Sequence, residues 1–295
     1  MKRILTYIIN KEEAGKTIEK FLKEKGYTPA VLVSLKKTEN GIRRNGIWAY
    51  TNEKLNENDI IEVKIIEETF EKNIEAVYYP LDIVYEDEDI IVINKPSNMP
   101  IHPSMNNHDN TLANALIYYF NNKNIAFTFR CINRLDRDTT GLTIIAKHAL
   151  SAAILGLAVS RREIKRTYNA ICHGHVPDSG TVDAPISRKN DSTIERCVDY
   201  ASGEKAITHF KRIAYNPQKN LSLVELKLET GRTHQIRVHM KHEGYPLIGD
   251  FLYNPNYEYI KRQALHSKSL SFVHPISKRE MYFEAPLPLD MKSLL

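Results

Sequence analysis

IVYEDEDIIVINKP (residues 83–96) reads as two short strands around an acidic turn, the second stopping at Lys95-Pro96. Working outward, Pro96, Pro100 and Pro103 make the next segment extended rather than helical. TLANALIYYF (111–120) has helical spacing, and NRLDRDTTGLTIIAK (133–147) is a loop feeding a strand over 142–146. A helix near 149–160, a strand over 166–172 and an alternating strand over 221–229 follow. The order is mixed, without regular βαβ alternation. The pattern therefore predicts an α+β fold with a largely antiparallel mixed sheet and flanking helices, not a doubly wound one.

Upstream of this domain, AGKTIEKFLKEK (14–25) places Ile18, Phe21 and Leu22 on one helical face, and a second short helix covers 30–37. NGIRRNG (40–46) sets two turn signals around two arginines, and DIIEVKII (59–66) reads as a strand. The expected organisation is a small unit over 1–68, helical first and then β, a charged linker over 69–80, and a larger domain over 81–295.

The chain has 295 residues, 42% of them apolar, enough for one large core and a smaller module. Lys and Arg number 41 against 36 Asp and Glu, a net charge of +5 that does not by itself imply nucleic acid. The distribution says more: residues 69–100 hold seven acids and two bases, residues 130–166 eight bases and three acids. The second stretch is the locally positive surface a polyphosphate partner needs. There is no run of about 18 uncharged apolar residues, and acidic residues come too early for a secretory signal. Cys131, Cys172 and Cys197 are odd in number and widely spaced, as expected of reduced thiols in a cytoplasmic protein.

Three motifs could carry chemistry. In NRLDRDTTGL (133–142), Asp138 through Gly141 is turn chemistry, whereas Asp136 sits between Arg134 and Arg137. A carboxylate between cations stays ionised and can act as nucleophile or base. In ETGRTHQIRVHMKHEG (229–244) a strand ends at Thr230-Gly231, Thr233 suits an N-cap, and a helix runs from Gln235 towards Gly244. Arg232 then sits at a strand-to-helix junction and could hold a phosphate, a substrate carbonyl or the Asp136 carboxylate. His234, His239 and His242 do not share one helical face, so a metal site is not expected. In KRTYNAICHGHV (165–176), Tyr168 shares a strand face with the small Ala170 and Cys172, leaving room for a base against its ring.

Together these segments resemble the RluA family of RNA pseudouridine synthases over most of residues 81–295. YEDEDIIVINKPSNMPIHPS (85–104), the 133–147 and 165–176 segments, LKLETGRTHQIRVHMKHEGYPLIGDFLY (226–253) and ALHSKSLSFVHP (264–275) follow that family's motifs in order. The resemblance implies Asp136 as catalytic aspartate, Tyr168 as active-site tyrosine, Arg232 as the basic residue pairing with the aspartate, and Arg134 as the arginine entering the RNA stack. It also implies that the N-terminal unit is similar to the alpha-L RNA-binding module. RNA contacts are expected at Arg134, Arg137 and Lys165, and at Lys36, Lys37, Arg43 and Arg44. Asn133 stands where the family usually has His, and Asn98 where it has Gly, Asn being the next residue most tolerant of left-handed geometry.

The implied reaction breaks the glycosidic bond of uridine, turns the uracil and joins its carbon 5 to the ribose. No redox change or phosphoryl transfer occurs, so neither cofactor nor metal is expected, and the partner is structured RNA, ribosomal before transfer RNA. A monomer is expected. Two rival classes remain: a non-catalytic RNA-binding or ribosome-assembly protein, and a glycoside hydrolase or nucleosidase. The latter needs a second carboxylate across the bond, and Asp138 is committed to a turn.

Overall fold

The computed structural model describes residues 1–68, 70–71, 73–104 and 107–295. In chain order the elements are β1 (Lys2–Ile8), α1 (Ile18–Glu24), α2 (Pro29–Lys37), β2 (Ile42–Arg44), β3 (Ile47–Trp48), β4 (Ile60–Ile66), β5 (Ile83–Glu86), β6 (Ile90–Lys95) and α3 (Leu112–Asn122). There follow β7 (Thr140–Ala146), α4 (Ala149–Ser160), β8 (Lys165–His173), β9 (Ser179–Asp183), β10 (Ile186–Arg188), β11 (Arg196–Val198), β12 (Ile207–Asn216) and β13 (Leu221–Leu228). The chain ends with α5 (Gln235–His242), β14 (Leu265–Val273), β15 (Glu280–Glu284) and α6 (Leu289–Lys292).

The N-terminal unit opens with a strand, not a helix. β1 pairs antiparallel with β4 along its whole length, Lys2 against Ile66 and Ile8 against Ile60, in a sheet of order β1-β4-β2-β3. Thr17 and Thr28 cap α1 and α2, and Pro29 sits where its missing N–H is harmless. Ile18, Phe21, Leu22, Val31, Leu32 and Leu35 bury one face of the helices against Ile61, Val63 and Ile65 of β4. Leu150 of α4 belongs to the same core, so the unit is docked on the larger domain. Arg3 reinforces the docking through Asp89 at 2.9 Å, and Arg130 through Glu67 at 3.0 Å.

The larger domain is built on a nine-stranded sheet, order β5-β6-β7-β14-β8-β13-β12-β9, with β15 on β14. Every pairing is antiparallel except that of β7 with β14, which confirms the α+β reading. β6 is apolar on both faces because both are covered. Ile91 and Ile93 meet Leu116 and Phe120 of α3, while Ile90 and Val92 meet Leu155 of α4. α3 begins with a capping box between Thr111 and Asn114. In the other half of the sheet, Tyr168, Ala170, Val224 and Leu226 bury Ile236 and Met240 of α5.

Where β7 meets β14, Gly141 has φ +107°, and a Cβ there would lie 2.3 Å from the Ser267 carbonyl oxygen. Only glycine permits that approach, which fixes the end of the loop carrying Asp136. Of the expected linker, positions 69 and 72 lie outside the described residues. Ile74 and Tyr79 pack on the core around α3, and Asn114 donates to the Glu75 carbonyl at 2.8 Å. Among the described residues no helix is long and apolar enough to cross a membrane.

Candidate active site

The loop between Asn133 and Thr140 is held from below. Asn133 is buried; its amide donates to the Leu142 carbonyl at 3.1 Å and its oxygen accepts the Ile144 N–H at 2.8 Å. It thus bonds the loop to β7 with a side chain smaller than the histidine expected at that position. Asn98 has φ +55°, the left-handed geometry expected of it. Lys95 ties both segments together: its buried Nζ donates to the carbonyls of Pro96 (2.7 Å), Met99 (2.9 Å) and Arg137 (3.0 Å). Burial pushes its ammonium down, to about 7, against the pull of Asp138 and Asp136. A lysine closing an apolar strand just before proline was the available signal for this role.

Asp136 opens on a cleft of about 1030 Å³. Its side chain is 29% exposed, and Oδ2 accepts a hydrogen bond from Nη1 of Arg237 at 2.8 Å. The Arg237 side chain is only 1% exposed, and its other nitrogens bind Asp250 at 2.6 and 2.8 Å. Burial opposes the guanidinium charge, but the hydrogen bond to Asp250 and the charges of Asp136 and Asp250 outweigh it and raise its pKa. The rings of Tyr253 and Phe251 lie 5.0 and 5.4 Å from the guanidinium. A cation gripped bidentately on one side therefore presents a fixed donor to Asp136 on the other.

This corrects the expected pairing. Arg232 contacts Glu204 and donates to the Lys205 carbonyl at 3.1 Å; it lines the cleft without bonding Asp136. The reason is local. Gln235 accepts from the Arg232 N–H (3.0 Å) and the Thr230 hydroxyl (2.8 Å) and donates to the Ile207 carbonyl (2.9 Å), fixing the turn before α5. α5 begins only after that turn, and its buried face carries Arg237 inward. Thr233 is not the N-cap; His234 holds that position with φ +58°. An arginine amid Ile236, Val238 and Met240 needed a buried acid, and that was the missed signal.

Tyr168 is 5% exposed and belongs to the apolar cluster that also holds Leu135, beside Asp136, but it is not among the cleft-lining residues. Arg134, Arg137 and Lys165 line the cleft with Arg162, Arg166 and Arg232, against the carboxylates of Asp136 and Glu229. Arg137 pairs with Asp138 at 2.8 Å, and Glu229 is held by His209 at 2.7 Å. The four expected basic residues of the N-terminal unit lie apart from the cleft lining. Lys36 reaches Glu19 at 3.3 Å, Lys37 is exposed, and Arg43 donates to the Gly46 carbonyl at 2.9 Å. Arg44 is committed to Asp59 at 2.7 Å. His239 is buried with its ring nitrogens on Thr208 and the Ala184 carbonyl at 2.9 and 2.8 Å.

A positively lined cleft with one carboxylate fixed by a buried arginine suits polyanionic substrate and chemistry at a sugar carbon. The comparisons agree. A family model described as RNA pseudouridylate synthase matches residues 89–242. The chain is 41% identical over 280 residues to the RNA pseudouridine synthase YjbO of Bacillus subtilis, covering 95% of this chain and 98% of that one. It is 44% identical over 232 residues to ribosomal large subunit pseudouridine synthase D of Escherichia coli K12, covering 73% and 70%. Human RNA pseudouridylate synthase domain containing 1 superposes with a TM-score of 0.60 at 26% identity, covering 70% and 83%. By fold, by cleft and by these likenesses, the chain belongs to the RNA pseudouridylate synthase family.

Proposed function

We propose that this chain, an enzyme converting uridine to pseudouridine, acts on large-subunit ribosomal RNA, with Asp136 as the carboxylate that reacts with the ribose of a flipped-out nucleotide. The observation that carries the reading is the 2.8 Å bond from buried Arg237 to the partly open Asp136. A pre-set donor keeps the carboxylate ionised and oriented while charge develops at the sugar. The N1–C1′ bond breaks, the uracil turns, C5 bonds to C1′, and the C5 hydrogen is lost as N1 gains one. Atoms and charge balance without a cofactor or metal.

The target must leave its stack at a cost of about a few kcal/mol. Arg134, exposed at the cleft, fills the gap left behind. Arg137, Lys165 and Arg232 hold phosphates along the cleft, and Tyr168 backs the apolar wall against the uracil through the cluster it shares with Leu135. Residues 1–68 hold RNA at a distance through Lys36, Lys37 and Arg43, while Arg44 serves the hairpin by binding Asp59. The name of the Escherichia coli relative supports ribosomal RNA as substrate. The proposed setting is a cytoplasmic monomer.

Pseudouridine mapping of total RNA from cells with and without the gene tests this. Loss of one or more pseudouridines from large-subunit ribosomal RNA is expected. An unchanged map refutes the activity in the cell, and a loss confined to transfer RNA refutes the substrate.

A further inference from the structure

His234 occupies a position that local structure does not account for. Its φ of +58° is left-handed, a region L residues enter at a cost and in which most of the other non-glycine residues here are Asn in turns. It stands at the N-cap of α5 yet makes no side-chain capping bond. The ring lines the cleft, only 13% exposed, with Nε2 3.8 Å from Oδ2 of Asp136.

The hydroxyl of Tyr253 is placed to set which ring nitrogen carries hydrogen. That oxygen accepts the Arg196 N–H at 2.9 Å and lies 2.9 Å from Nδ1 of His234. Among the described residues, Nδ1 is the one acceptor for the hydroxyl's own hydrogen. With the hydroxyl giving its hydrogen to Nδ1, Nε2 bears the ring hydrogen, on the side facing Asp136. Burial lowers the pKa of His234, against the opposing charge of Asp136, which favours the neutral ring.

We propose that His234 is a second catalytic residue: its neutral Nε2–H donates to the C2 carbonyl oxygen of the flipped uracil. This rests on Asp136 reacting at the ribose. With C1′ against Asp136, the C2 carbonyl oxygen is three bonds from the reacting carbon, within reach of a group 3.8 Å from the carboxylate. As the N1–C1′ bond breaks, its electron pair passes into the uracil ring and spreads onto the carbonyl oxygens. A neutral imidazole donor stabilises that charge without giving up its proton, so the base stays free to turn and re-attach through C5. The Tyr253 hydroxyl is the positioning group that fixes the tautomer.

The test uses the full chain and large-subunit ribosomal RNA transcribed with 5-tritiated uridine, followed by single-turnover tritium release and RNA binding. His234→Asn tolerates the left-handed backbone but is too short to reach; its rate should fall roughly a hundredfold with RNA affinity unchanged. His234→Gln places an amide N–H near the Nε2 position and should recover about a tenth or more of the wild-type rate. Tyr253→Phe frees the tautomer and should slow turnover by about tenfold, again at constant affinity. A wild-type rate in His234→Asn overturns the proposal, as does His234→Gln no better than His234→Asn. Should His234→Asn not fold, Tyr253→Phe decides: a slowed rate supports the proposal and a wild-type rate overturns it. Asp136→Asn, run alongside, separates the two failures: if it too turns over normally, the underlying reading has failed, not the histidine alone.

Discussion

Replacing Arg237 with methionine separates what holds the site together from what drives the reaction. The change removes one bond to Asp136 (2.8 Å) and two to Asp250 (2.6 and 2.8 Å). Asp250 is 0% exposed and, among the described residues, would keep only the N–H groups of Leu252 and Tyr253 as donors. Stranding a buried carboxylate this way costs ~3–5 kcal/mol. Against a total stability of ~5–15 kcal/mol that is survivable, with a melting drop on the order of 10 °C. Adding Asp250→Asn removes the stranded charge while keeping an acceptor for those N–H groups. The double variant should regain ~2 kcal/mol by chemical denaturation. Turnover should not follow, because Asp136 still lacks its donor: both variants should be about a hundredfold slower than wild type. If the double variant recovers turnover together with stability, Arg237 is a scaffold residue only and the reasoning is refuted.

Three further expectations follow from the same geometry. Lys95→Met takes the side-chain donor from the Pro96 and Met99 carbonyls and leaves the Arg137 carbonyl with the Met99 N–H alone; it should destabilise the chain by on the order of 3 kcal/mol in urea while slowing turnover, since the Arg137 carbonyl belongs to the Asp136 loop; unchanged stability contradicts its bridging role. Burial alone would raise Asp87, but His274, the N–H groups of Ile90 and Asp89 and the Tyr85 hydroxyl hold it well below the usual carboxylate range, and His148 and Arg3 likewise lower Asp89. Their stabilisation is therefore full above the unfolded value of ~3.9 and lost as pH falls through the lower folded values, so Asp87→Asn should flatten the acid limb of a stability–pH curve measured by urea melts, and parallel curves would contradict this. Arg134→Ala should slow single turnover roughly tenfold on duplex targets and hardly at all on an unpaired uridine; equal loss on both rules out a role in extrusion.

Much of the larger domain was legible because its signals are local. The β5–β6 hairpin, α3, β7, α4, β8 and β13 each declare themselves by periodicity, capping or turn residues within a few positions. β1 was not legible: Lys2–Ile8 is a strand because it pairs with β4 some sixty residues later, where Lys2 meets Ile66. β9, β10 and β11 are too short to show a period, and β12 is interrupted by a register shift between Arg212 and Ala214. At the site, Asp136 stood out through its charged neighbours. Its partner did not, since Arg237 lies 101 positions away and the arginine at the more conspicuous junction is Arg232. A helix arginine among apolar residues looks like an interruption until the fold supplies Asp250 and Asp136. The hydrolase reading gains nothing from the structure, because Asp138 is spent on Arg137 and Glu229 on His209.

The most direct measurement is tritium release from 5-tritiated large-subunit ribosomal RNA by purified Asp136→Asn, with RNA affinity measured on the same sample. Unchanged affinity and no tritium above background is the expected result. Release at the wild-type rate would mean that another group reacts with the ribose.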